Sequence, residues 1–302
     1  MKRHLLLAQF AATPWALTPD YLSLMTNMLV NWSFNAPVAV DLTAKIGPDK
    51  EARAARGDAA GAGGAVAVIP VYGVITQRPP DDICGAGGCA ADKVAAAVRS
   101  AAADPAVSAI VLDIDSPGGS VYGTKECADV ILAAREQKPV IGIANSLAAS
   151  AAFWLGSQCS EFYCTPGGEV GSVGVYTAHQ FIGKALEAAG VDVTLVSAGQ
   201  YKVEANPFEP LGDEAKAAIQ ARVDDYYGMF VKAVAKGRGV KVSDVRGGMG
   251  QGRVLGAEDA LVARMVDGVA TFDQVLAKVS GSGRSGVGRS RVASARRALA
   301  LM

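Results

Sequence analysis

The sequence predicts an α/β domain with parallel strands, and three observations carry that prediction. Short runs rich in β-branched residues alternate with longer helix-like runs between residues 66 and 279. The run "AIVLDI" (109–114) is apolar but for one residue, as a strand covered on both faces is. Half of the 302 residues are hydrophobic while only 6% are aromatic, so Ala and Gly supply much of the bulk and elements can pack closely.

The elements follow in order. "MKRHLLLAQFAATPWA" starts like a signal peptide, with basic residues before an apolar run, but Gln9 interrupts that run. "TPDYLSLMTNML" then offers Thr18 as a cap, Pro19 in the first turn, and Leu22, Met25 and Leu29 on one face. Residues 1–48 therefore read as an N-terminal helical extension, and the charged, then Ala/Gly-rich residues 49–65 as a linker. The main domain, 66–279, opens with the β-rich "VAVIPVYGVI" (66–75) and, after a Gly/Pro/Cys loop, the helix-like "ADKVAAAVRSAAA" (91–103). Strand 109–114 ends in the turn "DSPGGS" (115–120), and a helix over 122–137 leads to the strand "PVIGIA" (139–144). A helix over 178–190, a strand "DVTLV" (192–196), a long helix from Asp213 to Lys236 and a last helical pattern at 256–266 complete it. "YYGMFVKAVAKG" (226–237) offers an apolar helix face for contact between subunits. Residues 280–302 carry five arginines, no acids and many Gly and Ser, which predicts a flexible tail.

Composition excludes several functions. Net charge is zero, so neither a nucleic acid nor a membrane surface is an expected partner, and no run approaches the length of a membrane span. Five cysteines (Cys84, Cys89, Cys127, Cys159, Cys164) are an odd number in a chain too large to need staples, which suits the cytoplasm. Cys84 and Cys89 bracket "GAGG" without a histidine or second cysteine pair at zinc-ligand spacing, so no metal is expected.

Sites in α/β sheets gather at the C-terminal ends of strands, and three segments fall there. In "DSPGGS", Pro117 fixes one torsion while Gly118 and Gly119 can turn their N–H groups outward, as donors to an oxyanion or as an ordinary turn. In "NSLAASAAFWLG" (145–156) a lone hydroxyl, Ser150, stands among alanines at a predicted helix start, with the Ala151 N–H beside it. Small residues there suit either tight packing or an uncrowded nucleophile. In "SAGQYKVEANPFEP" (197–210), Lys202 is either a solvated surface residue or a base for the serine. Of the two histidines, His4 lies in the N-terminal segment and His179 starts an amphipathic run, where it is a second candidate base.

"DSPGGS", "SLAASAAFW" (146–154), "GEVGSVGV" (168–175) and "GQYKVEANPFEPL" (199–211) occur in an order and spacing that resemble the signal peptide peptidase A family. The resemblance is to its bacteriophage branch in particular, the capsid-maturation (protein C-like) serine peptidases, and "FAATPWALTPDYLSLM" (10–25) looks like the opening of that branch. It implies Ser150 as nucleophile, Lys202 as general base and Ser172 as the hydroxyl that holds the lysine amine. Gly118, with Gly119, and Ala151 match the oxyanion-hole donors. It further implies a Clp/crotonase-type spiral of β–β–α units, a homo-oligomer, no cofactor, and a serine endopeptidase acting on capsid, scaffold or portal proteins in the host cytoplasm or the phage prohead. The membrane anchor of the cellular members has no counterpart here, which favours soluble substrates over membrane-embedded signal peptides.

Other readings stay open on the residues alone. One is a cytoplasmic protein-degrading relative of the signal peptide peptidases, and another a Clp-like variant with His179 as base. A crotonase-type acyl-CoA enzyme shares Gly-rich oxyanion turns, although no carboxylate flanks Ser150, and an assembly protein could keep the fold alone.

Overall fold

The computed structural model describes residues 13–19, 21, 23, 26, 64–78 and 88–281. Within the N-terminal extension Trp15–Leu17 form a strand and Pro19, Tyr21, Ser23 and Thr26 are helical, whereas residues 1–12 and 27–48, most of the linker, Cys84 and the tail beyond residue 281 lie outside the described residues.

The strands are β1 Trp15–Leu17, β2 Ala65–Tyr72, β3 Ile75–Thr76, β4 Cys89–Ala90, β5 Val107–Ser116, β6 Gly118–Ser120, β7 Val140–Ala149, β8 Glu161–Cys164, β9 Glu169–Gly171, β10 Val254–Gly256 and β11 Gly268–Val269. The helices are α1 Ala91–Ala103, α2 Thr124–Ala134, α3 Ala151–Gly156, α4 Gly183–Ala188, α5 Asp213–Arg238, α6 Val242–Gly248, α7 Ala257–Val262 and α8 Phe272–Gly281. In the larger sheet β2, β5 and β7 run parallel, and β7 pairs on its other side with β8 and then β9, both also parallel. The mixed α/β architecture with a parallel sheet is the class the sequence predicts.

Alternation along the strands divides two cores. Ile110, Leu112 and Ile114 of β5 join the larger core, which α1, α2, α3 and α5 cover. Ala109 and Val111 of β5, with Ile141 and Ile143 of β7, face the smaller one, capped by Val275 and Val279 of α8. The short α3 is wholly buried. Its Trp154 stacks on Phe230 of α5 at 4.6 Å and 6°, while Phe153 meets Phe162 of β8. That packing corrects the expected subunit face at 226–237, because Phe230, Val231, Val234 and Ala235 are spent on the chain's own core.

Three further expectations are corrected. "DSPGGS" is not a simple turn: Gly118–Ser120 form β6, paired with β1 and β3 in a second, four-stranded sheet. The helix expected over 178–190 is confined to Gly183–Ala188, since Ile182 N–H is drawn to the Pro207 carbonyl at 2.8 Å. "DVTLV" is exposed throughout and forms no strand, because a strand needs a neighbour and none of the described chain lies alongside it.

Candidate active site

β7 carries the site. Its first half pairs with β8 through Ala144↔Cys164, and its last three residues pair with β9 from Leu147↔Glu169 to Ala149↔Gly171. On the other edge the register against β5 jumps from Ile114↔Ala144 to Ser116↔Ala148, so Asn145, Ser146 and Leu147 face Asp115 alone. This is a bulge, and bulges re-aim the strand beyond them. Here the bulge marks the point where β7 changes partner. It is pinned from below: the buried Asp113 accepts hydrogen bonds from Asn145 Nδ2 at 3.1 Å and from the Tyr72 hydroxyl.

Beyond the bulge β7 turns abruptly into α3, with Ser150 at the corner. Ser150 has φ 56° and ψ −117°, a conformation that costs a non-glycine residue on the order of 1–3 kcal/mol and that marks serines presented at sharp strand-to-helix turns. The corner is fixed on both sides, since Ser150 N–H donates to the Gly171 carbonyl at 2.7 Å and Trp154 N–H to the Ser150 carbonyl at 2.9 Å. The Ser150 hydroxyl has one long contact, 3.5 Å to the Gly174 carbonyl, and is 1% exposed. At the first turn of α3 the Ala151 N–H has no acceptor inside the helix.

The structure brings four of the sequence-chosen residues around that corner. Ser172 leaves β9 beside Ser150, one residue past the Ala149↔Gly171 pair, also with positive φ (54°). Gly118 (φ 101°) is adjacent to Ser150: a Cβ placed on it would lie 2.9 Å from Ser150 Cβ and from the Ala149 carbonyl. Its N–H donates to Ser116 Oγ at 3.2 Å, and Ser116 Oγ in turn donates to the Gly73 carbonyl at 2.7 Å. Gly119 sits in β6, paired with Ala16 on one side and Ile75 on the other.

Lys202 is not brought there. It is exposed, in the run of turns at 201–205, and no hydrogen bond joins it to Ser150 or Ser172. His179 is not at the corner either, because its Nε2 contacts the Asn206 carbonyl at 3.0 Å. Around these two, Phe181, Ile182, Val191, Val193, Leu195, Val196 and Tyr201 are all exposed. Asp113, Asn145, Ser116, Gly171 and Gly174 escape sequence reasoning, since their roles rest on pairings between distant strands.

Among the described residues no cluster of His, Cys, Asp and Glu could hold a metal, and no helix is long and apolar enough to cross a membrane. The cysteines Cys89, Cys127, Cys159 and Cys164 are free and buried.

Residues 133–282 match the model of peptidase family S49. The chain is 40% identical over 182 residues to the head-tail preconnector protein GP5 of Enterobacteria phage P21, covering 60% of this chain and 36% of that protein. It is 36% identical over 229 residues to the capsid assembly protease C of Escherichia phage lambda, covering 74% of this chain and 51% of that one. Protease 4 of Salmonella typhi is 30% identical over 221 residues, with 72% and 34% covered. This chain thus spans between about a third and a half of these relatives' lengths. The matched segment holds the Ser150 corner, Ser172 and Lys202, and it makes residues 133–282 of this chain a peptidase S49 domain.

Proposed function

We propose that the chain is a serine endopeptidase of phage head maturation, acting on capsid, scaffold or portal proteins, with a Ser150–Lys202 dyad on a Clp/crotonase-type fold. The observation that carries this reading is the Ser150 corner, a strained serine between strand and helix, flanked by Ala149 and Ala151 and faced by Gly118. Similarity to the phage lambda protease and the phage P21 preconnector protein supports the substrate class.

In this mechanism the Ser150 hydroxyl attacks the scissile carbonyl and its proton passes to the uncharged Lys202 amine. The oxyanion is held by backbone N–H groups of Ala151 and of the Gly118–Gly119 segment of β6. As the tetrahedral intermediate collapses, the lysine returns the proton to the departing amine. Water then repeats the sequence on the acyl-enzyme, and Ser172 orients the lysine.

Lys202 stands on an exposed stretch in the single chain, so the dyad requires assembly: a neighbouring copy delivers Lys202 to Ser150. The exposed apolar residues of 181–201 give that contact its driving force. An interface also excludes water, which disfavours the charged form of a lysine. Mixing Ser150→Ala protein with Lys202→Ala protein tests both points. Each alone should be inert towards a peptide substrate, and the mixture should recover hydrolysis. An active Ser150→Ala protein would refute the nucleophile, and a dead mixture beside an active wild type would refute delivery by a neighbour.

A further inference from the structure

The strand β1 lies in the place that a peptide substrate would need. Trp15, Ala16 and Leu17 pair antiparallel with Ser120, Gly119 and Gly118, while on the other edge of β1 Trp15 bridges to Tyr176. Trp15 N–H donates to the Tyr176 carbonyl at 2.9 Å and Tyr176 N–H to the Trp15 carbonyl at 3.0 Å; Thr18 N–H reaches the Pro117 carbonyl at 3.1 Å. β1 therefore runs between the two backbone stretches that flank Ser150, the Gly118–Ser120 strand and the segment that leads from Ser172 through Gly174 to Tyr176. It is deeply set, with Trp15 6%, Ala16 0% and Leu17 2% exposed.

The contact reaches the reacting corner itself. The point where a Gly118 Cβ would stand is 2.2 Å from the Ala16 carbonyl oxygen and 2.9 Å from Ser150 Cβ. A main-chain carbonyl thus already faces Gly118 and Gly119 beside the serine, as the scissile carbonyl of a substrate would. Extended peptides bind by adding a strand to a free sheet edge, and among the described residues β6 has both edges taken, by β1 and by β3.

We propose that Trp15–Leu17 is an autoinhibitory strand: it fills the substrate's slot, and peptide binding requires it to leave. The inference rests on Ser150 being the nucleophile. β1 remains covalently tethered after leaving, so it competes at a high effective concentration, and a substrate must present a long extended segment to displace it.

A removable lock tests this. The bonds from Thr18 N–H to the Pro117 carbonyl and from Val121 N–H to the Pro14 carbonyl place Trp15 and Ser120 at a pair that shares no hydrogen bond. Such pairs have Cα atoms about 4.5 Å apart, within the range of about 4.4–6.8 Å that a disulfide spans. In a Trp15→Cys/Ser120→Cys protein the oxidised form should lose most of its hydrolysis and of its labelling by a fluorophosphonate. Dithiothreitol should restore both, while wild type under the same oxidant stays active. An oxidised protein as active as the reduced one would mean that β1 is a permanent strand and overturn the proposal. A second measurement uses wild type alone. With a peptidyl phosphonate attached to Ser150, the amides of Trp15 and Thr18 should exchange with deuterium faster than in the free protein, and unchanged protection would equally overturn it. If wild type shows no Ser150-dependent labelling at all, the nucleophile assignment itself fails and the inference falls with it.

Discussion

Gly118 and Ser150 touch through a space that no side chain can enter. A Cβ on Gly118 would stand 2.9 Å from Ser150 Cβ and 2.2 Å from the Ala16 carbonyl oxygen, with φ at 101°. Gly118→Ala must therefore push the serine corner, shift β1, or twist β6. The expected outcome is a loss of roughly 1–3 kcal/mol of stability from overpacking and backbone strain. Reactivity should fall further than stability, because the atoms displaced are those beside the proposed nucleophile. Thermal melts and fluorophosphonate labelling rates on the same preparation measure the two effects. Full labelling at wild-type rate would show that the contact is irrelevant to the chemistry.

The bulge pinned by Asp113 makes a separate prediction. Asn145→Ala removes one of the two donors to a buried carboxylate, which costs roughly 1–3 kcal/mol for the unsatisfied group. Tyr72→Phe removes the other donor and keeps the ring. Asn145 opens the bulge and Tyr72 lies on β2, so neither is at the Ser150 corner, and substrate affinity should change little while turnover falls as the β7 end drifts. Steady-state kinetics separate the two parameters. A rise in KM with unchanged kcat would count against a positioning role for the bulge.

Burial pushes the thiols of Cys127 and Cys159 up to about 12 from an ordinary value of 9.0. The folded protein thus holds these protons where the unfolded chain releases them. Their contribution to stability is complete below pH 9 and is lost as pH rises through about 12. Melting temperature should fall across that window, and less steeply in Cys127→Ala/Cys159→Ala protein. Native protein at pH 8 should resist thiol reagents at both positions. An identical alkaline slope in the double variant would assign the loss to other groups.

What the sequence made legible was local. Ser150 among alanines and the glycines of "DSPGGS" announce themselves because close approach of backbone at that corner selects small residues at adjacent positions. The strands 109–114 and 139–144 were visible as apolar or β-branched runs, though β5 and β7 extend past both ends of those runs or well into the next segment. "DVTLV" misled because its composition suits a strand while pairing depends on a neighbour that composition cannot reveal. The pairing of Trp15–Leu17 with β6 joins residues about a hundred positions apart, and the bulge at Asn145 follows from register; neither leaves a trace in any short window. Likewise the apolar face of 226–237 looked available for a partner until Trp154 was seen to fill it.

The base is tested by substitution at Lys202 and His179. Lys202→Arg keeps a positive charge and much of the length, but an arginine does not give up its proton in a protein and cannot serve as a base. Lys202→Arg and Lys202→Ala should therefore both be inactive at every pH at which the fold survives. Both should also stay folded, since Lys202 is exposed and makes no side-chain hydrogen bond among the described residues. Ser172→Ala should fall between these and wild type, because it removes only the hydroxyl proposed to steady the amine. His179→Gln should keep most of its activity: the ring contacts the Asn206 carbonyl, which a glutamine amide can also reach, and is not bonded to Ser150. Initial rates on one peptide, with circular dichroism on each variant, make the comparison. An active Lys202→Arg enzyme beside a dead but folded His179→Gln one would replace the lysine with a histidine mechanism. Since neither His179 nor Lys202 is bonded to Ser150 in the single chain, that result would still leave Ser150 waiting for a base carried in from the 177–212 region.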